Sequence, residues 1–578
     1  MGWLGATMAM LLCAACVAAG GARAGRDPRN IRTGSVIPSE SYADHPFLIR
    51  TTAGNWLCVL TTGKGREGSP SQHVVATISS DRGRSWSDLI PIEPSGPPES
   101  SWPLPLKTPS GRVYVFYTFN IENRRLRRSD TVGEIVFRYS DDHGRTWSHT
   151  RTLVPSRRFE IDRTNTLGGD AFFIIPFCKP RVIAGCAMFS GSKHGDPPGP
   201  SRSEVAFWRS PNILTEDDPS AIQWINLPEG DHGLRAPRGP ISEECTFDVL
   251  SDGRSLYAVH RSVDGYLLAS ISRDLGRTWR DRQYARYAPG DRPIKNPRGP
   301  AIMRKLSNGK FLLLFYNNSL RGYQGRNPYW LTGGIQKDGT VHWAEPEIAL
   351  YDPDPDARPG YADFYEGEDA IYVVETQKSV ARVHKLDPTM LQALWRQPTN
   401  RSPARRGILL ARRAEQLEDR AAVLDQPLDL TRLDGLTVGL WLELSDLAAG
   451  QALLDSRDQA GRGLAVLTEH GAALRLVLND GEHQAAWSTD PDLIKPRKQH
   501  HVVFIVDAGP RVISVVVDGR LCDGGTHRAY GWARYEEPLG DVAGSGRFRA
   551  APSVRALRLY GRYLLTSEAV GNYRAGIP

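Results

Sequence analysis

The hydrophobic pattern of the first two thirds of the chain is a repeated pair of short apolar runs joined by a turn glycine. Two apolar runs of strand length on either side of a glycine are typical of a β-hairpin. The clear pairs are 46–49 with 56–60, 103–106 with 113–116, 246–250 with 256–259, 301–303 with 311–315, and 361–364 with 371–374. The less clearly marked segment 172–189 adds one more. The pattern therefore predicts six similar units of β-sheet.

A second repeat gives these units a period. The octapeptide Ser-x-Asp-x-Gly-x-Ser/Thr-Trp occurs at 79–86, 140–147 and 272–279. Its Asp and Ser cap backbone N–H groups in a tight turn, its Gly permits positive φ, and its Trp packs the turn onto a sheet. The Asp residues of these copies and of a decayed copy at 337–343 are 61, 132 and 64 residues apart, so another copy is expected near residue 208. Six radial four-stranded sheets at this period form a closed β-propeller.

The pattern changes in the last third of the chain. A short helix is predicted at 388–395 and a proline-containing linker at 396–406. Beyond it, runs at 436–442, 473–478, 501–506, 512–517 and 555–562, separated by Asp-Gly turns, predict antiparallel strands. This part looks like a concanavalin A/laminin G-like jelly roll. The predicted fold class is all-β, with a propeller at 30–396 and a β-sandwich at 405–578.

The N-terminus predicts export. An apolar run up to Ala19 precedes Ala22-Arg23-Ala24, the pattern of a secretory signal peptide over 1–24 that is cleaved after Ala24. The expected location is secreted or periplasmic, with a lipid anchor at Cys16 as the alternative. No later stretch approaches the ~18 to 20 apolar residues of a membrane span. The sequence does not indicate an oligomeric state.

Composition and charge exclude some classes of function. The 24% of charged residues are typical of a globular protein, and the net charge of +7 comes from scattered Arg without a long basic run. Binding of nucleic acid is therefore not expected. No set of His, Cys or acidic residues has convincing metal-ligand spacing, so neither a metal nor another cofactor is expected. Cys178 and Cys186 flank a hairpin-like segment and are either a disulfide pair or buried thiols.

The octapeptides are Asp boxes, and at this spacing residues 30–395 resemble the sialidase superfamily of six-bladed propellers. The resemblance implies a glycoside hydrolase that acts on a terminal sugar at the non-reducing end of a glycan. Sialidases attack an anomeric carbon that carries a carboxylate, which repels a carboxylate nucleophile. The family therefore uses a Tyr activated by a Glu, three Arg that bind the substrate carboxylate, and an Asp as general acid.

Four residues match these roles. Tyr361, at the start of the last unit, matches the nucleophile. Glu244 best matches the activating carboxylate, with Glu243 as the fallback. Arg261 and Arg326 match the second and third arginines of the triad. The implied reaction is retaining hydrolysis, with a glycan as the binding partner.

Two positions depart from the family. Asp44 occupies the place of the first arginine, where an anion would repel a substrate carboxylate at a cost of several kcal/mol. The loop 62–69, where the general acid is expected, contains Glu67 and no Asp, and His73 follows it. Either the substrate lacks a carboxylate at that place or Asp44 has another task. Glu67, Asp44 and His73 are alternative candidates for the acid.

These departures keep other functions open. One is a non-catalytic carbohydrate-binding propeller with a lectin-like partner domain, and a weaker one is a scaffold for protein contacts. In the C-terminal part Trp487 and Trp532 lie near turns and are candidates for stacking on a sugar ring, whereas Trp441 is expected in the core.

Overall fold

The N-terminal part of the molecule consists of short antiparallel strands that follow one another along the chain. The computed structural model describes residues 27–196, 201–432 and 434–577. The predicted signal peptide and Cys16 lie outside the described residues. The strands of this part are β1 (Ser35–Ile37), β2 (Tyr42–Arg50), β3 (Trp56–Gly63), β4 (His73–Ser79), β5 (Ile90–Pro91), β6 (Ser100–Lys107), β7 (Val113–Phe119), β8 (Glu134–Ser140), β9 (Thr152–Leu153), β10 (Ile174–Ile183), β11 (Cys186–His194), β12 (Ser203–Ser210), β13 (Ile225–Leu227), β14 (Glu243–Val249), β15 (Leu256–Arg261), β16 (Leu268–Ser272), β17 (Arg280–Tyr284), β18 (Ile302–Lys305), β19 (Phe311–Phe315), β20 (Tyr329–Lys337), β21 (Thr340–Trp343), β22 (Glu347–Leu350), β23 (Ala362–Glu366), β24 (Ile371–Thr376) and β25 (Ala381–Lys385).

In the described part of the chain these strands form six antiparallel sheets. They are β2–β5, β6–β9, β10–β13, β14–β17, β18–β22, and β23–β25 joined by β1. The first strands of successive sheets contact one another in a ring that runs β2, β6, β10, β14, β18, β23 and back to β2. The start of the chain completes the last sheet, because β1 pairs with β25 and places Ser35 opposite Val383. The ring is a β-propeller, in which closure protects the sheet edges.

The Asp boxes join the third strand of a sheet to its fourth. In the first copy, Asp81 Oδ1 accepts hydrogen bonds from the Ser79 hydroxyl at 2.8 Å and from the Ser85 amide at 2.9 Å. Gly83 has φ +80°, in the left-handed region that favours glycine. The same carboxylate contacts recur in the copies at 140–147 and 272–279. These turns lie at the outer part of the sheets, where the fourth strand begins.

The copy expected near residue 208 is present in altered form. Strand β12 ends at Ser210, and Asn212 stands at the position of the box Asp. The Ser210 hydroxyl accepts a hydrogen bond from the Ile213 amide at 3.1 Å. The turn therefore keeps the period of the propeller, although its octapeptide is no longer recognisable in the sequence.

The C-terminal part is a sandwich of two further antiparallel sheets. One has the order β26-β38-β28-β33-β34-β35 with β36 beside β34, and the other has the order β27-β37-β29-β30-β31-β32. Their strands are β26 (Ile408–Arg413), β27 (Ala421–Val423), β28 (Gly435–Glu443), β29 (Ala452–Asp455), β30 (Gly463–Glu469), β31 (Ala473–Asn479), β32 (Gln484–Ser488), β33 (Gln499–Asp507), β34 (Val512–Val517), β35 (Arg520–Leu521), β36 (Ala533–Arg534), β37 (Arg547–Ala550) and β38 (Val554–Tyr560). The all-β prediction of a propeller followed by a sandwich is confirmed. The predicted domain limits, 30–396 and 405–578, stay predictions.

Strand β33 shows how the two parts pack. Side chains alternate between the faces of a strand. Phe504 therefore packs in the core between the two sandwich sheets, whereas its neighbour Ile505 packs with the propeller residues Tyr257 and Trp330. This explains why β33 is apolar at consecutive positions, since both of its faces are buried.

Helices are few in the described residues. The α-helices are α1 (Glu160–Arg163), α2 (Pro388–Arg396) and α3 (Thr566–Ala575), and the short 3₁₀ helices are Ile31–Thr33, Ser129–Thr131, Pro219–Ala221 and Ala414–Gln416. The helix predicted at 388–395 is confirmed as α2, which begins where Asp387 accepts a hydrogen bond from the Thr389 amide. No helix among the described residues has the length and apolar character needed to cross a membrane.

The cysteines of the described part are free thiols. Cys178 lies opposite Ser190 across β10 and β11, and Cys186 lies opposite Ile183, so the two sulfurs are not paired. The disulfide alternative is therefore wrong. Cys178 is buried, as the other alternative predicts, whereas Cys186 is partly exposed.

Candidate active site

A cavity of about 350 Å³ opens at the axis of the propeller. Every sheet of the propeller contributes a side chain to its wall. Among the described lining residues the cations are Arg128, Arg261, Arg298, Arg326, Arg358 and Lys378, and the carboxylates are Glu67, Glu243 and Glu244. Aromatic and imidazole side chains complete much of the wall, namely His45, Trp102, His194, Tyr323 and Tyr361. Cations outnumber carboxylates two to one in this set, so the wall is positively charged.

β-Bulges in the innermost strands aim several of these side chains at the axis. His45 in β2, Trp102 in β6 and Glu244 in β14 have φ of 47°, 61° and 53°, and the strand register shifts around each of them. A bulge re-aims a side chain and is common beside active sites. In a regular strand Glu243 and Glu244 would point to opposite faces, but here both line the cavity. The positive φ of a non-glycine residue is the local strain that accompanies this arrangement.

Tyr361 and Glu244 form a hydrogen-bonded pair. Tyr361, directly before β23, donates from its hydroxyl to Glu244 Oε1 at 2.7 Å. The tyrosine ring stacks on His45 with ring centroids 4.4 Å apart. Burial and the nearby Glu244 charge raise the pKa of Tyr361, and burial raises the pKa of Glu244 although Arg261 opposes it. The proton therefore rests on the phenol, beside a carboxylate with raised proton affinity.

Glu243 has a different task from its neighbour. Its Oε1 accepts hydrogen bonds from Arg261 at 2.7 Å and from Arg298 at 3.0 Å. Burial alone would raise the pKa of Glu243, but the two guanidinium groups outweigh it and hold the pKa at about 2. Arg261 also contacts Glu244 Oε2 at 2.5 Å. Of the alternatives Glu244 and Glu243, the structure places Glu244 on Tyr361 and Glu243 on the arginines.

Arg326 lies in the same wall as Arg261. It comes from the loop between β19 and β20, and its Nη2 donates to the carbonyl oxygen of Arg298 at 2.5 Å. Its guanidinium lies 5.3 Å from the centroid of the Tyr323 ring, and that of Arg298 lies 5.0 Å from it. Cation–π contacts with the Tyr323 ring therefore help to hold both guanidinium groups in place. Tyr323 is 43% exposed and stands at the mouth of the cavity.

Asp44 does not present a free anion to the cavity. Its side chain is fully buried, with Oδ2 accepting from the Tyr42 hydroxyl at 2.8 Å and from Lys378 Nζ at 2.6 Å. Burial opposes ionisation, but the charge of Lys378 outweighs it and holds the pKa of Asp44 below its usual range. The neighbouring His45 lines the cavity instead. The repulsion expected from an Asp at this place does not arise, because Asp44 is paired with a lysine.

Glu67 and His73 are the other two candidates for the general acid. Glu67 lines the cavity with its side chain one-third exposed, 2.9 Å from Arg128 Nη2 and 3.3 Å from Lys378 Nζ. Burial would raise the pKa of Glu67, but Lys378 and then Arg128 lower it below its ordinary value. His73 hydrogen-bonds the Ser71 carbonyl at 3.0 Å and is not part of the described lining. Glu67 is therefore the acid candidate that reaches the cavity.

Sequence reasoning missed four of the six described cations of the wall. Arg298, Arg358 and Lys378 lie in connections between strands, where no hydrophobic period fixes their direction. Arg128 was not predicted, because nothing in the sequence distinguishes it from the many surface arginines of the chain. A signal existed only for His45, which lies between Asp44 and the predicted strand at 46–49.

A larger crevice, of about 580 Å³, lies between the propeller and the sandwich. Its charged groups are used in packing: Lys295 Nζ donates to the carbonyl oxygens of Asp523 and Arg528, at 2.7 and 2.8 Å. The tryptophans proposed for sugar stacking are also engaged. Trp532 is buried and donates to the Asn317 carbonyl at 2.9 Å, and Trp487 donates to Gly531 at 3.0 Å. The chemistry therefore concentrates in the axial cavity.

Comparison with known proteins identifies the family of the propeller part. Residues 54–373, more than half of the chain, match the family model described as BNR repeat-like domain. The Trypanosoma rangeli sialidase is similar in structure, with a TM-score of 0.42 at 14% identity over 93% of this chain and 94% of that chain. The Hadza microbial sialidase Hz136 gives 0.43 at 17% identity over 61% and 68%. The NanB sialidase from Streptococcus pneumoniae gives 0.44 at 13% identity over 63% and 71%. No curated protein matches the chain in sequence.

Proposed function

The chain belongs to the BNR repeat-like domain family, and from that premise we propose that it is an exported exo-glycoside hydrolase that removes a terminal acidic sugar with retention of configuration. The observation that carries the proposal is the 2.7 Å hydrogen bond from Tyr361 to Glu244 inside a positively charged cavity. A phenol beside a carboxylate that accepts its proton is a nucleophile and base pair. The surrounding arginines suit a planar anion such as a carboxylate.

The cavity limits the substrate in size and charge. A volume of about 350 Å³ is at the small end of ligand pockets, which favours one sugar unit in the cavity. Arg261 and Arg326 lie on the same wall as Tyr361, so a sugar carboxylate held by them brings its anomeric carbon toward the tyrosine hydroxyl. The rest of the glycan extends past Tyr323 at the cavity mouth.

The first chemical step forms a bond between sugar and enzyme. Tyr361 Oη attacks the anomeric carbon as its proton passes to Glu244 Oε1, and the bond from the anomeric carbon to the leaving oxygen breaks. Glu67 donates a proton to that oxygen, so the shortened glycan leaves as a neutral alcohol. A tyrosine suits this step because its attacking group is neutral until the proton leaves, whereas a carboxylate nucleophile would be repelled by the substrate carboxylate.

The second step releases the sugar. Glu67, now a carboxylate, takes a proton from a water molecule, and the oxygen of that water attacks the anomeric carbon. The bond to Tyr361 Oη breaks, and the phenolate recovers its proton from Glu244. The two displacements return the anomeric configuration of the substrate. Glu67 begins and ends protonated, so binding of the acidic sugar must first draw Lys378 and Arg128 away from it.

The test is turnover of a panel of aryl glycosides of acidic and neutral sugars. We expect wild type to hydrolyse at least one acidic glycoside, and Tyr361→Phe to lose that activity by about 10³-fold or more. Tyr365→Phe is the matched control, because Tyr365 lies on β23 but packs against Trp56 away from the cavity. A Tyr361→Phe variant with wild-type turnover would rule out the mechanism.

A non-catalytic glycan-binding protein is the second candidate. The observation in its favour is that the pKa values of Asp44 and Glu67 are both lowered, so neither of these acid candidates is ready to protonate a leaving group in the free protein. Binding of an acidic sugar by the folded wild type, without hydrolysis of any glycoside in the panel, would select this function.

A further inference from the structure

Lys378 lies where three reactive groups of the cavity meet. Its Nζ is 2.6 Å from Asp44 Oδ2 and 3.3 Å from Glu67 Oε1, and it stands 4.2 Å from the centroid of the Tyr361 ring. The side chain keeps 29% of its surface exposed, and it faces the cavity. Lys378 therefore touches the proposed nucleophile and the proposed acid at the same time.

The backbone holds Lys378 in this direction. The residue has φ +68°, a left-handed conformation that is uncommon for a residue other than glycine. Its amide donates to Thr376 Oγ1 at 2.9 Å, and its carbonyl oxygen accepts from the Ala43 amide at 3.0 Å. These bonds cross the seam where the last sheet of the propeller closes on the first. The strain is thus maintained by the closure of the ring, and it places the side chain over the cavity.

The ammonium group of Lys378 has Asp44 on its inner side and the cavity on its other side. Asp44 is fully buried, so it binds the inner face of the ammonium group. An ammonium has three N–H donors. Asp44 and Glu67 account for two of them, and the Tyr361 ring, with its centroid 4.2 Å from Nζ, is the remaining close contact on the cavity side. Among the described residues no oxygen or nitrogen acceptor is found for the third N–H. That donor is available to a ligand in the cavity.

We propose that Lys378 is a substrate-binding cation that replaces the arginine absent from position 44. Asp44 holds the lysine, and the lysine donates to the carboxylate of the sugar beside Arg261 and Arg326. The replacement moves the positive charge from the first sheet to the last and uses a residue 334 positions away in the chain. This inference rests on the proposed function for the nature of the ligand, an acidic sugar.

The test measures binding, so it does not depend on turnover. Free N-acetylneuraminic, glucuronic and galacturonic acids and their methyl esters are titrated by calorimetry into wild type and Lys378→Met. For each acid that binds, we expect about 10- to 100-fold weaker binding by the variant, the effect of a hydrogen bond to a charged group. The esters, which lack the charge, should bind both proteins alike. Lys378→Arg should restore most of the affinity.

Two further variants distinguish a loss of binding from a folding defect. Asp44→Asn with Lys378→Met removes both charges, so no unpaired carboxylate is left buried, and it should show the same loss for the acid. Lys385→Met is the matched control, because Lys385 is an exposed lysine on β25 that pairs with Asp369. It should bind like wild type.

The outcomes separate this inference from the proposed function. Suppose that wild type binds an acid, and that Lys378→Met and the double variant Asp44→Asn with Lys378→Met bind it equally well. The role of Lys378 is then wrong and the proposed function stands. If acid and ester weaken by the same factor, Lys378 only shapes the cavity, and the inference is again overturned. If folded wild type binds none of the acids, both the inference and the acidic-sugar function fail.

Discussion

The axial cavity and the contact between propeller and sandwich both concentrate buried charge, but they use it differently. At the contact, Arg292 pairs with Glu345 at 2.5 Å and with Asp523 at 3.0 Å, and Arg29 pairs with Asp507 at 2.5 Å. The Arg292–Asp523 and Arg29–Asp507 pairs join the propeller to the sandwich, and Glu345 is a second, propeller partner of Arg292. In the cavity, cations outnumber carboxylates around an open volume. Buried charge alone is therefore a poor sign of function, whereas an imbalance that faces a cavity indicates a ligand.

This difference leads to opposite expectations for substitutions. A cavity residue should affect activity or affinity more than stability, because its partner is the substrate. A residue at the contact should affect stability more than activity, because its partner is the other part of the protein.

The largest effect is expected for Glu244→Gln. The amide cannot take the proton of Tyr361, so kcat should fall by about 10²- to 10⁴-fold, the contribution of general base catalysis. Because burial raises the pKa of Glu244, a neutral side chain of the same shape should leave the free energy of unfolding unchanged or higher. Steady-state kinetics and urea titration check both parts. A variant that keeps the wild-type kcat would show that Glu244 is not the base. A variant that unfolds at much lower urea concentration would show that Glu244 stabilises the fold.

Arg292→Ala should show the reverse behaviour. It leaves Glu345 and Asp523 without their shared guanidinium group in a buried setting, which costs about 3 to 5 kcal/mol of unfolding free energy. The kcat of the folded variant should equal that of wild type. Arg277→Ala, which breaks an exposed pair with Glu229, should leave the stability nearly unchanged. Equal stability of the two variants in urea would contradict the role given to the contact.

Glu347 offers a pH-dependent test of the same contact. It accepts from the Thr566 and Ser567 amides of α3 at 2.7 and 2.8 Å, and burial raises its pKa to about 7. A raised pKa means that the folded state binds the proton more tightly than the unfolded state. The stabilisation is therefore full below the ordinary pKa of 4.5 and is lost as the pH rises through about 7.

The variant Glu347→Gln removes this titration. The difference in unfolding free energy between wild type and variant should shift by about 3 kcal/mol in favour of the variant between pH 4.5 and pH 8. Urea titration at several pH values measures the shift. A difference that is constant with pH would mean that Glu347 does not titrate in this range.

The smallest effect is expected for Arg326→Lys. Lysine keeps the charge but loses the planar fork that binds a carboxylate through two N–H groups. We expect KM for the acidic substrate to rise by about tenfold, a loss of about 1.4 kcal/mol, with a smaller change in kcat. A fall in kcat with no change in KM would place Arg326 away from the ground-state carboxylate.

The fold could be predicted from the sequence because its signals are local and repeated. The turn around Asp81 depends on residues within one octapeptide, and each hairpin is marked by two continuous apolar runs beside a turn glycine. The altered turn at Ser210 was expected from the period alone. The apolar run in β33 predicted a strand but not that its second face packs on the propeller, because such a contact joins residues far apart in the chain.

The cavity could be predicted only in part. Tyr361 and Glu244 were found because they match positions in a known pattern of strands. The role of Asp44 was left open, because the sequence does not show that a bulge turns it into the protein or that Lys378 is its partner. Lys378 had no signal at all, since its direction depends on ring closure and on an unusual backbone angle. Long-range pairing of charges is the part of the site that sequence reasoning could not supply.

Trapping of the covalent intermediate shows whether Tyr361 Oη bonds to the anomeric carbon of the sugar. Wild type and Tyr361→Phe are incubated with the 2,3-difluoro analogue of an acidic sugar whose glycoside wild type hydrolyses, and the digested proteins are mapped by mass spectrometry. We expect one sugar adduct in wild type, on the peptide that contains Tyr361, and none in the variant. An adduct on Glu244 or Glu67, or rapid turnover with no adduct on any residue, would contradict this expectation.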